Sequence, residues 1–93
     1  MIRTFKSKET EQLFKRYYVK KYPNSIQKIA FRKLRMINRA ISINDLRIPP
    51  ANHLEKLKGD RAGQYSIRIN DQWRICFEWH NSDAFKVEIV DYH

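Results

Sequence analysis

Apolar residues change their spacing twice along this chain, and each change marks a different kind of element. Ile2 to Phe5 is short and partly alternating and predicts a first strand. From Ser7 the spacing becomes helical. Ser7 is placed to cap a helix whose first turn carries Glu9 and Glu11, the sign that the positive helix end favours. Leu13, Phe14, Tyr17 and Tyr18 continue that period, Lys20 and Lys21 close the helix, and Pro23 breaks it. Asn24 with Gln27 three residues on resembles a capping box for a second helix. Ile26, Ala30, Leu34, Ile37 and Ile41 form one apolar stripe on it, and Lys28, Arg32, Lys33, Arg35 and Arg39 fall largely off that stripe. The two segments predict a helical hairpin with its apolar faces inward.

After a stiff Ile48-Pro49-Pro50-Ala51-Asn52 connection and a Gly59–Gly63 turn, the period drops to two. Tyr65, Ile67 and Ile69 alternate with Ser66, Arg68 and Asn70. Trp73, Ile75, Phe77 and Trp79 alternate with Arg74, Cys76 and Glu78. Asn70-Asp71 and Asn81-Ser82-Asp83 read as turns, and Phe85 to Val90 is a last strand. The predicted order is strand, helix, helix and a three-strand meander. This is an α+β fold with an N-terminal strand and a two-helix hairpin packed on an antiparallel sheet.

At 93 residues the chain has room for one core, so residues 1–93 are expected to form one domain. Its apolar runs are too short to span a bilayer, and Met1 to Lys6 lacks the apolar stretch of a signal peptide. The single Cys76 cannot form an internal disulfide and reads as a small sheet residue. Together these favour a cytoplasmic protein. The three histidines at 53, 80 and 93 and the one cysteine show no usual metal-ligand spacing, and two glycines are too few for a phosphate-binding loop, so no cofactor is expected. The net charge of +9 is unevenly placed. Residues 1–47 carry 13 Lys/Arg against 3 Asp/Glu, whereas residues 48–93 carry 6 against 7. A basic helical half with interleaved aromatics points to nucleic acid or an acidic partner, more than to a merely solvated face, where signs are usually mixed.

The chain ends apolar almost to its last residue and then finishes Asp91-Tyr92-His93, a carboxylate, a phenol and an imidazole. If the strand continues, Asp91 and His93 project to one side and Tyr92 to the other.

Three stretches carry a resemblance. Ile48 to Gly63, Asn70 to Trp79 and Val87 to His93 resemble, respectively, the middle signature, the central strand and the C-terminus of HigB-type toxins of the RelE/ParE toxin–antitoxin superfamily. The resemblance covers essentially the whole chain and is dense from Asp45 onward. It implies a RelE-like, microbial-RNase-like fold, ribosome-dependent cleavage of translated mRNA, and inhibition by a HigA-type helix-turn-helix antitoxin. It also implies that the functional positions fall on His53, Asp91, Tyr92 and His93. Metal-free RNA cleavage needs a base for the 2′-OH, an acid for the leaving 5′-oxygen, and cations where charge develops on the phosphate. His53 and His93 suit the first two roles, because imidazole titrates near working pH. The sequence does not divide base from acid between them. Asp91 is placed to orient an imidazole, and Tyr92 to stack on a base or hydrogen-bond a phosphate.

Lys56, Lys58, Arg68 and Arg74 are candidates for phosphate contact. Arg74 leads, since Trp73-Arg74 is part of the stretch that resembles the family's central strand; alternation also turns it away from the apolar Trp73/Ile75 face and leaves it available to solvent or ligand. His80, at a turn, reads as structural or solvent-exposed; Glu88 reads as the polar face of a strand; Tyr17, Tyr18 and Tyr22 read as core and rim of the first helix. Two rival functions stay open: a ParE-like toxin that binds gyrase without catalysis, and a basic module that binds RNA or the ribosome only. The Asp91-Tyr92-His93 ending and His53 favour the nuclease over the gyrase binder, which has no use for paired imidazoles; deleting the last residue would separate it from the binding module, whose binding would survive.

Overall fold

A computed structural model describes residues 1–92, and His93 lies outside the described residues. Helix α1 spans Lys8–Phe14 and α2 spans Asn24–Arg39. A four-stranded antiparallel meander follows in the order β1 (Glu55–Lys56), β2 (Gln64–Arg68), β3 (Trp73–His80), β4 (Asp83–Asp91). The helices pack on each other and on β4, covering one face of the sheet. Ile67, Ile75 and Ile89 stand side by side across β2, β3 and β4 on that face. Ile26, Ala30, Leu34 and Ile37 of α2 are buried with them in the same core.

The inward phase of β4 changes midway. One extra residue of β4 lies opposite the Cys76–Glu78 stretch of β3, and Lys86 there takes φ 54°. The bulge lets Ala84, Val87 and Ile89 all turn inward although they are not evenly spaced. One buried polar link ties α1 to this strand. Thr10 Oγ1 accepts from the Ile89 amide at 3.0 Å and pairs with the Tyr22 hydroxyl at 3.1 Å.

Several local expectations are corrected. The N-terminal segment lies parallel to β4 but touches it through two isolated bridges, Ile2–Ala84 and Phe5–Val87, and not as a continuous strand. Ser7 caps α1 as expected, accepting from the Thr10 amide at 3.1 Å. The helix stops at Phe14, because Arg16 adopts φ 71° and the Tyr17 amide turns back to the Gln12 carbonyl. Tyr17 and Tyr18 are therefore exposed loop residues, not core, and Lys20 and Lys21 close no helix; of the three tyrosines only Tyr22 is buried.

Gln27 does not build a capping box with Asn24. Its amide clamps the connection instead, donating to the Val19 and Tyr22 carbonyls at 2.7 and 2.9 Å. The box that forms joins Ser42 to Asp45 beyond the end of α2. Ile41 leaves the stripe and is exposed, while Lys33, expected off it, is buried and donates to the Arg68 carbonyl at 2.6 Å. Burial, helped by the positive charges of Arg32, Arg68 and Arg74, pulls the Lys33 pKa below its ordinary value. Among the described residues no helix is long and apolar enough to cross a membrane.

Candidate active site

On the face of the sheet away from the helices, the pleat aligns polar residues in rows. Glu55, Ser66, Cys76 and Glu88 are successive cross-strand partners, and Arg68 faces Arg74 in the next row. Two like charges directly opposite repel unless each finds a partner. Arg68 turns out to Asp71 in the following turn. Arg74 turns inward: its Nε donates to Ser66 Oγ at 2.8 Å, and its Nη2 donates to the His53 carbonyl at 2.6 Å. Glu55 stands 3.4 Å from the same Nη2.

Arg74 was expected to be available to ligand. It does lie opposite the apolar face, but its side chain is only 10% exposed, because the segment around His53 to Glu55 folds over it. It works as an anchor for that segment. The segment itself is set up by Asn52, fully buried, whose Nδ2 donates to the Leu46 carbonyl at 3.1 Å. Asn52 Oδ1 is buried with no hydrogen-bond partner among the described residues. After the Pro50–Asn52 turn His53 sits at φ 43°, ψ 57°, a left-handed conformation that a non-glycine residue holds only when its surroundings impose it. Its carbonyl is held by Arg74 and its amide donates to the Pro50 carbonyl at 3.0 Å, and the residue is exposed.

Tyr92 continues β4 onto the same side as Glu88. Its amide donates to the Gln72 carbonyl at 2.8 Å, its ring centroid lies 5.8 Å from the Arg74 guanidinium carbon, and its hydroxyl reaches back to within 3.7 Å of Cys76 Sγ. Burial and the neighbouring thiol push the phenol above its ordinary pKa, so Tyr92 is a neutral donor at neutral pH and not a base. Burial also raises the Cys76 thiol. A protonated, covered thiol reacts slowly, so alkylation of Cys76 with iodoacetamide at pH 8 should run roughly 10²-fold slower in the native protein than in denaturant. Equal rates would show that the polar face is open to solvent at Cys76.

Asp91 goes to the other side, as alternation predicted. It pairs opposite Trp73 and accepts from Gln72 Nε2 at 3.0 Å. Of the expected site residues, the structure gathers His53, Arg74 and Tyr92. Arg68 shares their face but is turned to Asp71. Lys56 pairs opposite Tyr65, whose ring stacks on Phe77 of the core, so the register directs it away from that face; Lys58 is exposed in the turn that follows β1. The position of His93 is not described.

Ser66, Glu55, Arg61 and Glu88 belong to the cluster and were not singled out as site residues by sequence. Arg61 lies in the Gly59–Gly63 turn, yet its Nη1 crosses the face to Glu88 Oε1 at 3.0 Å and contacts Gln64 Oε1 at 3.0 Å. Burial works against its charge, but Glu88, Cys76 and Tyr92 outweigh that and raise its pKa. Among the described residues no three His, Cys, Asp or Glu side chains are grouped so as to hold a metal ion.

The chain was also compared with known proteins as a whole. Residues 3–93 match the family described as RelE-like toxin of type II toxin-antitoxin system HigB. The chain is 44% identical to Toxin HigB-1 of Vibrio cholerae over 78 residues, covering 81% of this chain and 80% of that protein. It is 36% identical to Endoribonuclease HigB of Proteus vulgaris over 94 residues, covering 100% of both. In fold it resembles a chain of the heterotetrameric YoeB–YefM toxin–antitoxin complex of Staphylococcus aureus, with a TM-score of 0.62 at 22% identity over 100% of this chain and 98% of that one. With the family matched over nearly its whole length and its α+β fold shared with such a complex, the chain belongs to the HigB family of RelE-like toxins of type II toxin–antitoxin systems.

Proposed function

We propose that this toxin is a ribosome-dependent endoribonuclease that cuts translated mRNA by metal-free acid–base chemistry and is held in check by a HigA-type antitoxin. The observation that carries the proposal is the Arg74 cluster. One guanidinium holds the His53 backbone carbonyl and lies beside the Tyr92 ring, so it links an exposed histidine to a neutral phenol. In the reaction one imidazole, of His53 or His93, takes the proton of the 2′-OH, and the 2′-oxygen attacks the adjacent phosphorus. The P–O5′ bond breaks, and the other imidazole protonates the departing 5′-oxygen. Arginine and the Tyr92 hydroxyl stabilise the charge that grows on the phosphate. Asp91, as the neighbouring carboxylate, orients an imidazole. The name of the Proteus vulgaris relative, an endoribonuclease, supports the same chemistry.

Dependence on the ribosome is supported by the opposite side of the molecule. Lys28, Arg32, Arg35 and Arg39 recur four, three and four residues apart along α2, a row of about 16 Å. None of these four has a carboxylate partner among the described residues, whereas Arg3, Arg61, Arg68 and Arg74 each have one. The row borders a groove of about 380 Å³ lined by Tyr17, Tyr18 and Phe31. Unneutralised cations beside exposed rings suit an RNA backbone with accessible bases.

The test is a translating ribosome complex mixed with the purified protein, with cuts in the mRNA mapped by primer extension. Cuts should appear only with ribosomes and vanish with His93→Ala. Cuts on free RNA would keep the chemistry and remove the ribosome from it. An uncut message would shift the weight to a toxin that binds without catalysis.

A further inference from the structure

Two guanidinium groups belong to the cluster around Tyr92, Arg74 beside its ring and Arg61 on Glu88, and they are committed differently. Arg74 has its Nε on Ser66 and its Nη2 on the His53 carbonyl and Glu55, with its side chain 10% exposed. Its strong donors are spent inside the protein. Arg61 is one-third exposed, and among the described residues only its Nη1 is engaged, by Glu88 and Gln64. Of the five N–H donors of a guanidinium, three on Nε and Nη2 are left over, enough for the two-point grip that arginine makes on a phosphate.

Its position fits that use. Glu88, which holds Arg61, is the cross-strand partner of Cys76, and Cys76 is the residue that the Tyr92 hydroxyl reaches at 3.7 Å. Arg61 therefore approaches the phenol from the Glu88 side and Arg74 from the Ser66 side. Gly59 and Gly63, at φ 65° and 91°, shape the turn from which Arg61 starts. Gln64 is a local acceptor for the same nitrogen, but Glu88 is 27 residues away, two strands over, so Arg61 reaches beyond bracing its own turn.

We infer that Arg61 is the guanidinium that grips the RNA phosphate at the reacting centre, that Glu88 aims it, and that Arg74 instead positions His53 and Tyr92. The inference rests on the endoribonuclease reading above. Glu88 satisfies one end of Arg61 and keeps the charge from collapsing onto the phenol. The other end meets a phosphate oxygen as negative charge develops there, which is worth more in the transition state than in the ground state.

The experiment is single-turnover cleavage on the translating ribosome complex, at saturating toxin, with Arg61→Met, Arg61→Lys, Glu88→Gln and the Arg61→Met/Glu88→Gln pair. Arg61→Met should bind the complex as the parent does and cut roughly 10²-fold more slowly, the loss typical of one transition-state donor. Arg61→Lys should recover part of the rate, as a point charge without the fork. The double variant should be no slower than Arg61→Met alone, since Glu88 acts through Arg61. A folded Arg61→Met that cuts at the parental rate, or one whose only defect is weaker ribosome binding, overturns the inference; additive losses overturn the aiming role of Glu88. If the parent itself does not cut, the endoribonuclease reading falls, and this inference with it. Should Arg61→Met fail to fold, the parent decides by NMR. Its Arg61 Nε–H resonance should move on titration with a 2′-O-methyl RNA trinucleotide, and a resonance unmoved while those of Tyr92 and His53 shift overturns the inference.

Discussion

Replacing Arg74 with alanine is expected to remove RNA cleavage and a large part of the folding stability in one step. The side chain is nearly buried and donates charge-assisted bonds to Ser66 Oγ and the His53 carbonyl at 2.8 and 2.6 Å. Hydrogen bonds of this kind are worth about 1.5–3 kcal/mol each, and their loss leaves acceptors buried without donors. The pair with Glu55 adds little, since that carboxylate is more than half exposed. A loss of about 3–5 kcal/mol follows, enough to lower the melting temperature by roughly 12 °C or more in a domain of this size.

Cleavage should fall further than stability requires. Without the carbonyl bond only the amide bond of His53 to the Pro50 carbonyl, within its own turn, is left to hold the left-handed conformation, and the Tyr92 ring loses its cation. Misplacing a reacting group by about 1 Å costs roughly 10²-fold. Arg74→Lys separates the two effects. An ammonium reaches one of the two acceptors, so the fold should recover more than the rate does. Thermal denaturation and single-turnover cleavage on the same preparations decide. A stable, fully active Arg74→Ala would show that the His53 segment is held by its own turn.

That anchor also shows where sequence reading stops. The inward side of α2 and the phases of β2 and β3 were legible, because burial on one face imposes a period that any stretch of the chain displays. Alternation even turned Arg74 away from Trp73 and Ile75 on its strand, and Tyr92 away from Asp91 on the next; that the two share a side needed the register between the strands. It could not show that residues 53–55 fold over Arg74, since that contact joins segments 21 residues apart and leaves no local period. Arg61 was hidden for the same reason. It stood inside a recognised stretch as a turn arginine, and its partner Glu88 read as an ordinary outward strand residue. The end of α1 failed differently. Tyr17 and Tyr18 keep helical spacing, but Arg16 at φ 71° turns the chain out first. The first strand was overextended because Ile2 and Phe5 are packed against the core, while the bulge at Lys86 breaks the ladder that would have joined them.

The second large effect is expected at Phe77, where β3 carries the core. Phe77 is fully buried, stacks on Tyr65 at 6.3 Å and meets Trp79 edge-on at 6.3 Å. Opposite it the β4 bulge leaves no one-to-one cross-strand partner. Its ring thus fills space that no regular pair occupies, and the neighbouring strands cannot close over a void there without moving the bulge. Phe77→Ala should cost about 3–5 kcal/mol, transfer and cavity together. A chain of this length has a total stability of about 5–14 kcal/mol, so the variant keeps a fraction of it or none. Phe77→Leu retains most of the volume and should cost no more than about 1.5 kcal/mol. Urea unfolding followed by tryptophan fluorescence checks both, since Trp73 and Trp79 bracket the site; the midpoint should fall while the slope stays constant. Phe77 points to the helix side and the Arg74 cluster to the other, so whatever fraction of Phe77→Ala remains folded should cleave at the parental rate per folded molecule. A midpoint shift under about 1 kcal/mol would place the mechanical centre elsewhere, in the α2 stripe around Leu34 and Ile37.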